Sequence, residues 1–273
     1  MRPPQAPPRI ELSGVRHIIA VASGKGGVGK STVAANLALS LLRTGAKVGL
    51  MDADIYGPSV PIMMGVPCPV DQNTTPLPLE RFGIKLMSIG FVVPQDRAVI
   101  WRGPMVDRAL RQFLEGLNWA PLDYLVIDLP PGTGDAQLTL SQHTRLSGAI
   151  IVTTPQDVSL VDARKGLEMF REVRVPVLGI VENMSYFVGD DGKRYEIFRH
   201  GGGHKLAAAS SIPFLGDIPI DPRVAESGDV GEPYVHRYPD TPVAHAYRDL
   251  ADAVIKQLEQ QASEQPELPE VQM

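Results

Sequence analysis

The 273-residue chain has one cysteine, Cys68. A single thiol excludes an intrachain disulfide framework and any cysteine cluster within one chain. Long hydrophobic runs are missing too: no uninterrupted apolar stretch is long enough to span a bilayer. The opening residues Met1-Arg2-Pro3-Pro4 lack the apolar segment of a secretory signal. Positive charge is in deficit, with 26 Lys and Arg against 31 Asp and Glu and a net charge of −5. The molecule as a whole therefore lacks the electrostatic footprint of a nucleic-acid binder. These absences lead us to expect a cytoplasmic protein with neither nucleic acid nor membrane as a partner. The remainder is ordinary for a globular protein, 44% apolar and 21% charged, and is long enough for one large α/β domain.

Composition divides the chain into three parts. Residues 1–15 read as a flexible proline-rich tail, 16–261 as one domain, and 262–273 as a disordered acidic tail. Short apolar runs are expected as strands at Ile18–Ala22, Val48–Met51, Lys85–Ile89, Tyr124–Asp128, Gly148–Thr153, Val177–Val181 and Phe214–Gly216. Continuous apolar character suits strands covered on both faces, hence a largely parallel sheet. Helical patterns lie between them. Val33–Leu42 is one, a second opens at Pro104, a third has Asp157 as its expected N-cap, and a last one opens at Pro242. The last carries Val243, Tyr247, Leu250, Val254 and Leu258 on one stripe, read as a docking face onto the domain. This alternation predicts a doubly wound α/β fold with ligands at the carboxyl ends of the strands.

The stretch Gly24-Lys25-Gly26-Gly27-Val28-Gly29-Lys30-Ser31-Thr32 follows the first predicted strand and opens the first helix. That context turns a G-x-x-x-x-G-K-[ST] pattern into a phosphate site. Glycines let backbone N–H groups turn inward around phosphate oxygens, and the helix N-terminus adds unpaired donors. In this reading Lys30 holds the outer phosphates and the Ser31 hydroxyl binds Mg²⁺. Lys25 is one lysine more than such a loop needs. It is either a solvated loop residue or one that reaches a nucleotide held by a second subunit.

Carboxylates follow at strand ends. Asp52 and Asp54 close the second strand. Asp54 is placed to orient water or to bind Mg²⁺ through water, with Asp52 in support, and capping of the next turn is the alternative for both. Tyr124-Leu125-Val126-Ile127-Asp128 is a Walker B-like strand with Asp128 placed to hold Mg²⁺. Gly132, just beyond, is positioned to offer its N–H to a γ-phosphate. Asn183 ends a later strand; its amide has the donor and acceptor an adenine edge needs, and a strand-end turn is the alternative.

The loop K-G-G-V-G-K-S-T resembles the deviant Walker A class of P-loop ATPases. Further motifs narrow the resemblance to the Mrp/ApbC-like iron–sulfur carriers. They are Asp52-Ala53-Asp54-Ile55-Tyr56-Gly57-Pro58-Ser59, Trp101-Arg102-Gly103-Pro104-Met105, Asp123 to Asp135, and Glu182-Asn183-Met184-Ser185-Tyr186-Phe187. The similarity covers about residues 15 to 258. It implies a homodimeric ATPase using ATP/ADP with Mg²⁺ and delivering iron–sulfur clusters to apoproteins. It also implies that Lys25 acts across the dimer and that Asn183 contacts adenine.

One departure stands out. The family commonly places C-x-x-C after the E-N-M-S-Y-F stretch, where thiolates ligate a [4Fe-4S] cluster bridging the dimer. Here Gly189 and Gly192 occupy those places. Asp190-Asp191-Gly192 reads as a tight turn between short strands, with Lys193 to Phe198 returning. His200, His204 and Cys68 are the other candidate ligands. Three functions stay open: an ATPase coupled to cluster delivery, a nucleotide-gated scaffold that binds no cluster, and a partition or division-site type ATPase. The acidic charge balance argues against the third.

Overall fold

The structure, a computed structural model, describes residues 10–71, 77–92 and 103–264. Trp101 and Arg102 lie outside the described residues. The strands are Val15–Ala22 (β1), Val48–Asp52 (β2), Leu79–Arg81 (β3), Ile84–Ser88 (β4), Leu122–Asp128 (β5), Gly148–Thr153 (β6), Val177–Val188 (β7), Arg194–Tyr195 (β8) and Phe214–Ile220 (β9). Among the described residues they form one nine-stranded sheet in the order β3-β4-β2-β5-β1-β6-β7-β8, with β9 also paired to β7. The pairings joining β4, β2, β5, β1, β6, β7 and β9 are all parallel. These are the strands expected from the apolar runs. Their burial explains the pattern: β2 and β6 are buried at every position.

The helices are Lys30–Leu42 (α1), Val60–Met63 (α2), Gly103–Glu115 (α3), Asp135–His143 (α4), Asp157–Glu172 (α5), Gly202–Ser210 (α6), Pro222–Asp229 (α7), Tyr234–Arg237 (α8) and Pro242–Glu264 (α9). α1 is buried on nearly every side, from Val33 to Leu41, because the sheet and α9 both pack on it. Asn36 is tolerated there because both ends of its amide are bonded. Its Nδ2 donates to Thr32 O (2.9 Å) and its Oδ1 accepts from Val235 N (3.0 Å). On α9, Val243, Tyr247, Leu250, Val254 and Leu258 are buried as one stripe, and the helix packs on β9 and α1. Each such large side chain contributes about 1.5–3 kcal/mol of burial.

Some expectations need correction. Asp157 is not the N-cap of α5; Gln156 occupies that position. Asp157 sits in the first helical turn, where a carboxylate suits the helix dipole, and pairs with Arg199. The β3 edge strand, antiparallel to β4, was not expected. At the N-terminal side, Ile10 is buried and bridges Thr144, inside the segment that composition assigns to a tail. α9 continues past residue 261 to Glu264.

Register places the chemistry. β2 and β5 pair so that Asp52 faces Asp128, and β1 pairs so that Val21 faces Asp128. Two acidic strand ends therefore stand beside the point where β1 gives way to the glycine-rich loop.

Candidate functional site

The loop from Gly24 to Gly29 joins β1 to α1, and its glycines serve different ends. A Cβ on Gly24 would lie 2.1 Å from the carbonyl carbon of Asp162, so the loop rests directly on the α5 backbone. Gly27 and Gly29 take φ of 80° and 82°, a region that favours glycine. A Cβ on Gly26 or Gly27 would meet nothing within 4 Å. The loop thus bounds an open cradle, which fits a phosphate chain held by backbone N–H groups. Val28 is buried, and its carbonyl accepts from Asn183 Nδ2 at 2.8 Å.

Lys30, at the start of α1, is 6% exposed. Its Nζ lies 2.6 Å from Asp128 Oδ1, 3.6 Å from Asp54 Oδ2 and 3.2 Å from Ser31 Oγ. The structure therefore brings Lys30, Ser31, Asp54 and Asp128 together. Asp128 Oδ2 is buried without a hydrogen-bond partner. Such an orphaned oxygen beside a hydroxyl and a second carboxylate fits a hard divalent cation or its water.

Burial pushes the Asp128 carboxyl above its usual range, against the opposing pull of the Lys30 charge. Asp52 is fully buried as well. Burial and the charge of Asp128 push it up to about 8. Ser88 Oγ donates to Asp52 Oδ2 (2.9 Å) and Asp54 N to its Oδ1 (3.1 Å). Asp54 Oδ1 accepts from Tyr56 N at 3.3 Å, which caps the turn, while Oδ2 faces Lys30.

Gly132 takes φ of 91°, and its N–H donates to Ser23 O at 2.9 Å. That N–H is therefore engaged at the loop's first turn. Lys25 stands apart from the acidic cluster. It is half-buried and lines a groove with Gln156, Val158, Phe198 and Arg199. Thr32 and Asn183 line a separate cavity of about 490 Å³, walled by Gly29, Met184, Phe198 and Pro222. Its apolar walls and its position beside the loop suit a flat heterocycle.

The hairpin between β7 and β8 carries Gly189 and Gly192, and its tip is satisfied internally. Gly189 N donates to Lys193 O (3.0 Å), and Asp191 accepts from Lys193 N and Tyr195 OH (both 3.0 Å). Iron–sulfur clusters are held by thiolates, and this hairpin offers none. Burial, with Asp52 adding a second push, raises the Cys68 thiol above its usual range, which disfavours the thiolate a cluster needs. The residues present do not fit a cluster at this hairpin. His200 and His204 also go separate ways. His200 Nδ1 lies 2.7 Å from Ser185 Oγ, while His204 packs edge-on against Phe214.

Sequence reasoning missed the partners of Glu182. This carboxylate is fully buried and accepts from Ser185 Oγ, Gly201 N and Gly203 N. The contacts to Gly201 and Gly203 span 19 and 21 residues of chain, beyond the reach of any local spacing pattern. The crowding of Gly24 against α5 was equally out of reach.

The sequence profile of the NUBPL iron-transfer P-loop NTPases, within the ParA group, matches residues 14–255. An iron–sulfur cluster carrier protein of Aquifex aeolicus is 53% identical over 256 residues, spanning 92% of this chain and 70% of its own length. One from Synechocystis is 50% identical over 256 residues, spanning 91% and 72%. Among solved structures, a nucleotide-binding protein of Archaeoglobus fulgidus in complex with ADP, with cobalt found in it, is 42% identical with a TM-score of 0.69. That match covers 81% of this chain and 88% of the other.

Proposed function

The chain belongs to the NUBPL iron-transfer P-loop NTPase family, and on that premise we propose that it is a homodimeric, Mg²⁺-dependent ATPase serving iron–sulfur cluster delivery to apoproteins. One observation carries this reading: Lys30 Nζ stands between Asp128 and Asp54 at the mouth of the glycine cradle, beside the orphaned Asp128 Oδ2. A buried lysine and a buried carboxylate held together this way form a site for a polyphosphate and its metal.

The backbone N–H groups of Gly26 to Thr32 cradle the phosphates, and Lys30 leaves Asp128 to neutralise the outer ones. Mg²⁺, when bound through Ser31, Asp128 and Asp54, supplies further charge neutralisation at those phosphates. Asp54 orients the attacking water. Asn183 and the cavity it borders take the adenine. Lys25, free of the acidic cluster, acts on the nucleotide of the second protomer. Gly132 exchanges Ser23 O for a phosphate oxygen, which couples the nucleotide to the segment leading into α4. Catalysis of this kind is positioning and electrostatics.

Gly189 and Gly192 bear on the delivery half. The cluster's thiolates come from partner proteins, not from this hairpin. A second reading, the nucleotide-gated scaffold, draws on the same hairpin. Turnover separates the two. Steady phosphate release from MgATP, lost in Lys30→Ala, supports the ATPase, and stoichiometric nucleotide occupancy without release supports the scaffold. Lys25→Ala is expected to impair turnover and nucleotide-linked dimerisation while leaving ADP binding by the monomer. Dimerisation and turnover equal to the parent protein's would remove Lys25 from the mechanism.

A further inference from the structure

Glu182 on β7 and Asp217 on β9 are register partners on neighbouring parallel strands. Both side chains therefore rise from the same face of the sheet, opposite the one Asn183 uses to hold the phosphate loop. His200, from the segment before α6, reaches the same point. The ligand-capable atoms of Glu182, His200 and Asp217 all lie within 4.8 Å of one another.

Two further features show that this cluster is short of positive charge. Glu182 is fully buried, yet among the described residues no Lys or Arg pairs with it; the His200 ring, with Nδ1 at 3.5 Å, is its nearest nitrogen base. Buried carboxylates are ordinarily paired or coordinate metals. Like charges facing each other across strands add repulsion. Ser185 stands at the centre of the three groups. The Ser185 hydroxyl has one proton, and around its Oγ stand Glu182 Oε1 (2.6 Å), His200 Nδ1 (2.7 Å) and Asp217 Oδ1 (3.0 Å).

We propose that Glu182, His200 and Asp217 form a mononuclear site for a divalent first-row transition metal. One imidazole nitrogen and two carboxylate oxygens suit Fe²⁺, Co²⁺ or Zn²⁺. Metal–ligand bonds of about 2.0–2.2 Å need the three groups to close in slightly, with Ser185 turning aside. The His200 side chain, 35% exposed and edge-on to Tyr186, has solvent on one side to allow that adjustment. The backbone N–H groups of Gly201 and Gly203 fix Glu182 from behind, as outer hydrogen bonds fix a ligating carboxylate. A cleft of about 430 Å³ between α5 and α6, bordered by Leu160, Arg164 and Lys205, reaches His200 from solvent. The site shares no residue with the acids around Lys30, so its ligands are distinct from those proposed for the nucleotide's magnesium.

The test is a titration of the metal-stripped full chain with Co²⁺ in excess Mg²⁺, read by visible absorbance and metal content. One Co²⁺ per chain is expected. His200→Ala and Asp217→Asn each remove a direct ligand and should weaken binding by at least about 10–100-fold, the cost of losing an outer hydrogen-bond partner, with melting curves showing that both remain folded. His204→Ala should bind as the parent protein does. Glu182 is left unaltered because it also holds the start of α6. Cobalt uptake that is absent from the parent protein, or that is as tight in His200→Ala and Asp217→Asn as in the parent, overturns the site. ADP binding measured on the same samples reports on the nucleotide reading separately.

Discussion

The side-chain amide of Asn183 donates to the Val28 carbonyl at 2.8 Å, so the end of β7 holds the glycine-rich loop from outside. The fit is close enough that a Cβ on Gly29 would lie 2.2 Å from Asn183 Nδ2. Asn183 therefore shapes the phosphate cradle as well as bordering the cavity proposed for adenine. Asn183→Ala removes a bond worth about 1 kcal/mol net, which corresponds to about fivefold in affinity. Calorimetry should show that loss for ATP and also for inorganic tripolyphosphate. Weakening of ATP alone would restrict Asn183 to the base.

Lys30 and Asp128 form a buried ion pair, and its two halves are not equivalent to remove. Lys30→Ala strands a buried carboxylate, at a cost of about 3–5 kcal/mol. The melting temperature should fall sharply. Adding Asp128→Asn to the same chain removes the stranded charge and should restore most of the stability. Neither variant should release phosphate from ATP. If the double variant melts no higher than the single one, the pair does not control stability as described.

Asp52 gives a pH dependence with a definite sign. Its folded value of about 8 lies above the 3.8 of an ordinary aspartate. The folded protein therefore keeps a proton that the unfolded chain gives up. Stability from this group is full below about pH 4 and declines as pH rises toward about 8. Asp52→Asn mimics the protonated form at every pH. Its melting temperature should gain on the parent protein's as pH rises from about 5 to about 8, by about 2–4 °C for each kcal/mol. A gap that stays constant over that range would show that Asp52 is ionised in the fold.

Two glycines of one loop should fail in opposite ways. Gly24→Ala drives a methyl group into the α5 backbone at Asp162, and overpacking of this kind costs about 1–3 kcal/mol or more. Gly26→Ala meets nothing within 4 Å, so melting should be nearly unchanged. A methyl group on this exposed stretch of the loop should instead weaken ATP binding, by crowding the phosphates proposed to lie there. Equal melting temperatures for the two variants would contradict the packing described for Gly24.

Local patterns carried much of this information. Apolar runs located the parallel strands, because strands covered on both faces advertise burial residue by residue. The loop residues, Asp54 and Asp128 were readable because strand ends and helix starts are fixed by chain order, and the structure brings them together. Asn183 was singled out from its amide, but its bond to Val28 joins positions 155 residues apart. Nothing in a linear pattern encodes that distance. The same holds for Glu182 and Asp217, whose alignment depends on the pairing of β7 with β9. Asp157 misled for the opposite reason: several positions at a helix start favour a carboxylate, and composition alone does not choose among them.

Gly24 lies against the α5 backbone with no slack, and α5 also presents Val158 and Val161 to the outside, 67% and 57% exposed. The helix thus backs the loop at Asp162, within its own length, and leaves Val158 and Val161 close by and open to solvent. Interiors packed this tightly transmit strain, so a push on those two valines is felt where Gly24 rests on Asp162, at the root of the glycine-rich loop.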